Sequence, residues 1–284
     1  MATKSLKMTG IGLRDDHLDD FLIHQPKVAW VEVDTESFFT DGGKRKQQLL
    51  ALREHYPISL HGKGLSLASA DELNWQHLAK LRELSLQIDA CLISDHLAWS
   101  SINGHYLHEC LPFPYTDDML EHIVTRINHV QTYLGRKILI ENCPAYLHFN
   151  TATMHEAAFL NEVAKRTQCD IVLDLTSLYV SAMNLNFNPL HYLRTFSSQH
   201  VQELHISGFK TANINEEPCL IASKDQPILP SVWSLYSEAI KQFGAKPTII
   251  EWDHALPSLT TLIAEADHAE TLMRETYVAA KLAG

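Results

Sequence analysis

The chain has 284 residues, 45% hydrophobic and 20% charged, which suits one α/β barrel of about 250 residues or two ordinary domains. A formal net charge of -11 and a pI near 5.8 argue against a nucleic-acid partner, whose phosphates clustered Lys and Arg would have to neutralise. Five dispersed cysteines without a C-x-x-C pair, an amino terminus (Met1 to Met8) without an apolar core and no run of ~18 apolar residues argue against a disulfide framework, a secretion signal and a membrane span, so a cytoplasmic protein is expected.

Apolar, β-branched-rich runs at 9–13, 28–33, 58–62, 91–97, 137–142, 169–175, 201–207 and 247–252 read as strands. Helical spacing fills the intervals. Leu78, Leu81, Leu84, Leu86 and Ile88 recur within Glu72 to Ile88, and Met119, Leu120, Ile123, Ile127, Val130 and Leu134 within Asp117 to Leu134. Met154 to Val163, Val232 to Phe243 and a terminal segment within Leu259 to Leu282 predict further helices. Such alternation implies parallel strands with crossover helices, and eight repeats favour a closed (β/α)8 barrel, a TIM barrel, spanning 1–284 as one domain. No Gly-x-Gly-x-x-Gly follows the first strand, which weakens a dinucleotide-binding alternative. The long connections at 98–116 and 208–231 are expected to form rim loops around a substrate pocket.

Six of the runs end on a side chain that binds metals: His61, His96, Glu141, Asp174, His205 and Glu251. Each has an ordinary structural explanation, for instance His61 as a turn residue or Asp174 as a helix cap. Together, six such groups beside buried strands would cost several kcal/mol each if left unpartnered. In a parallel barrel they converge at one end, and a mixed nitrogen and oxygen donor set suits iron, manganese, zinc or cobalt better than magnesium or calcium. Six donors suit two ions sharing a carboxylate. His61, His96 and Glu141 are assigned to one, and Glu141, Asp174, His205 and Glu251 to the other. Glu32, Glu36, Asn142 and Asp253 are candidates to support the donors or line the mouth, and Arg14 is a candidate to hold a substrate carboxylate or to pair with Asp15, Asp16 or Glu36.

These motifs resemble those of the multinuclear non-haem iron-dependent oxidases, a family whose best-known member works in methanobactin biosynthesis. The resemblance runs through Gly10-Ile-Gly-Leu-Arg14, Glu32 with Glu36, His61-Gly62, Ser94-Asp-His-Leu97, Leu111-Pro-Phe-Pro-Tyr115, Glu141-Asn142, Tyr146, Leu173-Asp174, Tyr179-Val-Ser-Ala182 with Asn184, Glu203-Leu-His205 and Glu251-Trp-Asp253. It implies a xylose-isomerase-like barrel, two or three irons, O2, and action on cysteine-containing segments of ribosomally made peptides, often with a partner protein that presents the peptide. The departures are specific. Phe209 replaces the family's second His after the seventh strand, Ala222-Ser-Lys224 replaces Asp-Thr-His, and Asp174-Leu-Thr-Ser177 lacks the two amides that usually follow the Asp. Phe209, Ala222 and Lys224 thus mark lost positions of a third metal, and a two-metal site is expected to remain.

Three functions fit these observations: an iron-dependent oxidase of a cysteine-containing peptide or small thiol, a redox-inert metal-dependent isomerase or hydrolase on the same barrel, and a non-catalytic peptide- or metal-binding protein with a degraded third site.

Overall fold

The computed structural model describes residues 7–214 and 216–283. The reading of Met1 to Met8 therefore falls mostly outside the described residues. Eight strands, β1 (Thr9–Leu13), β2 (Val31–Asp34), β3 (Ile58–Gly62), β4 (Ile93–His96), β5 (Leu139–Glu141), β6 (Asp170–Asp174), β7 (Val201–Ser207) and β8 (Thr248–Glu251), close into a barrel in sequence order, β8 pairing β1. Every neighbouring pair is parallel. Parallel pairing needs crossover helices, and these form the outer layer.

The helices are α1 (Asp15–His24), α2 (Lys44–Arg53), α3 (Trp75–Gln87), α4 (Asp117–Leu134), α5 (Glu156–Thr167), α6 (Leu175–Asn184), α7 (Pro189–Thr195), α8 (Pro230–Phe243) and α9 (Leu259–Ala283). In α4 the predicted stripe holds: Leu120, Ile123, Ile127, Val130 and Leu134 are buried against the barrel. Thr116 caps its first turn through Met119 N, and Gly135, in the left-handed region, ends it. In α3 the stripe is Leu78, Leu81 and Leu84, whereas Leu86 is 69% exposed. Two positions past Leu84, it has rotated off the buried face.

Two expected loops are hairpins instead. Trp99–Ile102 pairs antiparallel with His105–Leu111, and Lys210–Ile214 with Glu217–Ile221. The first turns at Asn103-Gly104, both at positive φ, the backbone of a two-residue hairpin, and Asp71 accepts from both their amides. Among the described residues no helix is long and apolar enough to cross a membrane.

Register delivers the predicted ligands to one end. His96 lies directly beside Glu141, and Asp174 directly beside His205. Glu251 closes the ring from the last residue of β8.

Candidate metal centre

Two imidazoles are oriented from behind. His61 Nδ1 lies 2.8 Å from Ser94 Oγ, and His96 Nδ1 lies 3.1 Å from the carbonyl of Gly62. Each ring therefore turns its Nε2 inward, 3.0 Å and 3.3 Å from the same atom, Glu141 Oε2. The other carboxylate oxygen, Glu141 Oε1, is 3.3 Å from His205 Nδ1, and His205 Nδ1 is 3.5 Å from Glu251 Oε2. Glu141 thus presents one oxygen to each half of the cluster, the arrangement a bridging carboxylate needs.

All six predicted donors are buried. His61 Nε2, both oxygens of Glu141 and His205 Nδ1 are at ion-pair distance from one another, yet none makes an aligned hydrogen bond. Buried polar atoms are seldom left so, and four of them aimed at a common space fit a metal. Donor atoms of His61, His96 and Glu141 lie within 4.8 Å of one another, as do those of His61, His205 and Glu251 and those of Glu141, Asp174 and Glu251.

Of the two roles that its sequence position left open, Asp174 takes that of helix cap, and its carboxylate also lies in a donor group with Glu141 and Glu251. Its Oδ1 accepts from Thr176 N and Ser177 N at 2.8 and 3.0 Å, capping α6, and its Oδ2 accepts from Ser177 Oγ at 2.8 Å. That same Oδ2 is 3.8 Å from Lys224 Nζ. The Lys224 ammonium is mainly bound to Glu251 Oε2, at 2.6 Å.

Charge is unevenly shared in this enclosed space. Burial opposes the imidazolium of His61, but Glu141 and Glu32 outweigh it and raise its pKa to about 9. For His96 burial prevails over Glu141 and lowers it to about 3. Burial raises Asp174 to about 6 although Lys224 pulls it down. Burial also opposes ionisation of Glu141 and Glu251, yet His96, His61 and His205 around the first, and Lys224 and His205 around the second, hold both well below the usual carboxylate range. As metal ligands, His96 would bind as the neutral base and His61 would first release a proton.

None of the five supporting candidates supplies an atom to these donor groups; Glu32 belongs to a further one, with Glu203 and His205. Glu32 is not at the mouth. It lies inside the barrel, where its Oε2 accepts from Ser59 Oγ at 3.2 Å and is 3.6 Å from His205 Nε2. Glu36 accepts from Lys63 N at 3.2 Å and sits 3.4 Å from His77 Nε2. Asn142 clamps β5 to β6, accepting from Asp174 N and donating to Asp174 O. Arg14 is engaged through two nitrogens by Asp253, rather than by Asp15, Asp16 or Glu36. A cavity of about 330 Å³ bounded by Arg14, Phe38, Lys63 and Asp253 reaches His61 and Glu251. At the three departures from the family pattern, Phe209 is buried against Tyr179, Ala222 N donates to Tyr146 Oη, and Lys224 reaches the carboxylates.

Sequence reasoning missed Glu203 as a site residue. Its Oε1 is 3.2 Å from His205 Nε2. The signal was present, because residues two apart on a strand share a face, so Glu203 enters the barrel with His205.

The family model for RiPP precursor modification enzymes MbnB/TglH/ChrH matches residues 8–274. The chain belongs to this family. It is 43% identical to a UPF0276 protein of Vibrio vulnificus (strain YJ016) over 95% of this chain and 92% of that one. A UPF0276 protein of Acaryochloris marina is 40% identical over 96% and 97%. Among solved structures, the 3-keto-D-glucoside 4-epimerase of E. coli superimposes with TM-score 0.60 at 11% identity, covering 95% of this chain and 99% of that one. A D-tagatose 3-epimerase-like protein gives 0.60 at 15%, covering 96% and 98%. These likenesses show the barrel fold that this member of the MbnB/TglH/ChrH family shares with xylose-isomerase-like enzymes.

Proposed function

We propose that the protein is a di-iron enzyme that oxidises a cysteine-containing segment of a ribosomally made peptide, or a small thiol, with O2 as the electron acceptor. The observation that carries this reading is the set of buried, unpartnered nitrogen and oxygen atoms around Glu141. His61, His96 and Glu141 would hold one iron, and Glu141, Asp174, His205 and Glu251 the other; manganese or zinc would also suit these donors. When bound, the irons would take up a substrate thiolate and pass electrons to O2.

The protein's own groups do the rest. Ser94 and the Gly62 carbonyl fix two imidazoles in the metal-binding orientation. The Arg14 and Asp253 pair stiffens the lip of the cavity, and Lys63, 3.9 Å from Asp253, adds a positive charge beside it. Lys224 contributes a fixed positive charge between Asp174 and Glu251, where family members that keep the His would place a third ion. Membership of a peptide-modifying family supports a peptide substrate; a partner protein that presents the peptide belongs to this proposal through the resemblance alone.

Lys224 also favours a second reading, a peptide- or metal-binding protein that has given up chemistry. Turnover separates the two. Iron-loaded protein given O2 and a cysteine-containing peptide encoded beside its gene is expected to change the peptide's mass. Iron bound without any change would favour the binding protein, and no bound iron would reject the oxidase.

A further inference from the structure

His205 is flanked by carboxylates on both sides. Its Nδ1 faces Glu141 and Glu251, and its Nε2 faces Glu203 Oε1 at 3.2 Å and Glu32 Oε2 at 3.6 Å. All five side chains are buried to within about a hundredth of full enclosure. The two sides differ in what else they touch. Glu141 also meets His61 and His96, and Glu251 also meets Lys224. Glu32 and Glu203 have Ser59 Oγ and His205 Nε2 within bonding range, while Glu32 Oε1 and Glu203 Oε2 make no hydrogen bond. An ionised carboxylate only accepts; Glu32 Oε2 already accepts from Ser59 Oγ, and the donor at bonding distance from Glu203 Oε1 is His205 Nε2.

We propose that Glu203, assisted by Glu32, is a positioning residue that holds His205 with its proton on Nε2 and so assigns Nδ1 as the metal-binding atom. The inference rests on the metal reading above and adds to it a direction of binding. The E-x-H spacing makes this possible, because it stacks carboxylate beneath imidazole in successive interior layers of β7. The opposite arrangement, an ion deeper in the barrel on Glu32, Glu203 and His205 Nε2, uses a donor set of comparable spacing and is the outcome the test must distinguish.

The experiment uses the full chain loaded with zinc, so that it does not depend on oxidase activity. Ring-¹⁵N-labelled histidine and long-range ¹H–¹⁵N correlation report which nitrogen carries the proton, with His205 assigned by loss of its signals in His205→Asn. The expected result is a protonated Nε2 and a zinc-bound Nδ1. Glu203→Gln is expected to weaken zinc binding at this site about 10- to 100-fold, the usual effect of removing a carboxylate behind a ligating imidazole, with partial rescue by Glu203→Asp. Thermal melts of the apo variants show whether they fold, and Glu32→Gln, which spares the closer partner, is expected to have a smaller effect. A protonated Nδ1 with zinc on Nε2 would overturn the proposal, as would Glu203→Gln binding zinc within twofold of the parent. Wild-type protein that takes up no zinc, iron or manganese would instead reject the underlying metal reading.

Discussion

Lys224 offers the sharpest perturbation of the site, because its ammonium occupies space that a metal would contest. Lys224→Met keeps most of the side chain's length and removes the ammonium, with its charge and its hydrogen bond to Glu251. At 2.6 Å from Glu251 and 3.8 Å from Asp174, the gross Coulomb attractions are about 6 and about 4 kcal/mol at an effective dielectric constant near 20. Desolvation of the ammonium cancels much of this, and deleting one partner of a buried pair costs about 3–5 kcal/mol. For a chain of this size, that lowers the apo melting temperature by roughly 10 °C. Metal binding has the opposite expectation. Glu251 Oε2 bonds the ammonium and is also the atom facing His205 Nδ1, so an ion there competes with Lys224 for one oxygen. Freed of that competition, Lys224→Met is expected to bind metal at least about tenfold more tightly, a change of about 1.4 kcal/mol, measured by chelator competition. An unchanged apo melting temperature together with unchanged metal affinity would refute the placement of the ammonium in this gap.

Further outcomes follow from other parts of the centre. His96→Ala is expected to lose one bound metal, and Glu141→Ala to lose more, because one carboxylate faces both halves of the site; equal metal content in parent and variants would contradict the assignment. Gly62→Ala removes no donor, yet its Cβ would lie 2.6 Å from Asp95 Oδ2 at the end of β3, beside His61, so metal affinity should fall severalfold in a chelator titration. His77, half-buried beside Glu36, has its pKa lowered to about 4 by loss of solvation. The unfolded chain then binds the proton first, so stability falls as pH drops from about 6.5 through 4, by up to about 3 kcal/mol. His77→Leu should flatten this part of the stability profile in urea titrations at pH 7 and pH 4.5, and a profile identical to the parent's would exclude His77 as its source.

The barrel was legible because its strands are buried on both faces and so appear as continuous β-branched runs, each within three residues of the observed bounds. The hairpins were not, since Trp99–Ile102 and Glu217–Ile221 are short and partly exposed, and their pairing depends on turns rather than on an apolar pattern. Helix α6 was hidden for a different reason. It begins at Leu175, directly after Asp174, and its Leu-Thr-Ser-Leu-Tyr-Val start continues the strand's β-favouring composition; only the cap by Asp174 separates them. Within the site, the strand-end donors could be found because each ends an apolar run. The pairing of Arg14 with Asp253 could not, because it joins β1 to the segment after β8 across 239 positions and depends on barrel closure. Glu203 was overlooked although its place two residues before His205 puts both on one strand face, whereas Glu32, named as a supporting group, meets His205 only through barrel closure, since β2 and β7 are not neighbours.

The central claim is that six strand-end donors hold two irons. Elemental analysis of the purified full chain, with spectra recorded anaerobically before and after O2 is added, tests it most directly. The expected result is about two irons per chain, a stoichiometry that six donors sharing one carboxylate would support, and a spectrum that changes on exposure to O2. Zinc alone, or no metal, would contradict it.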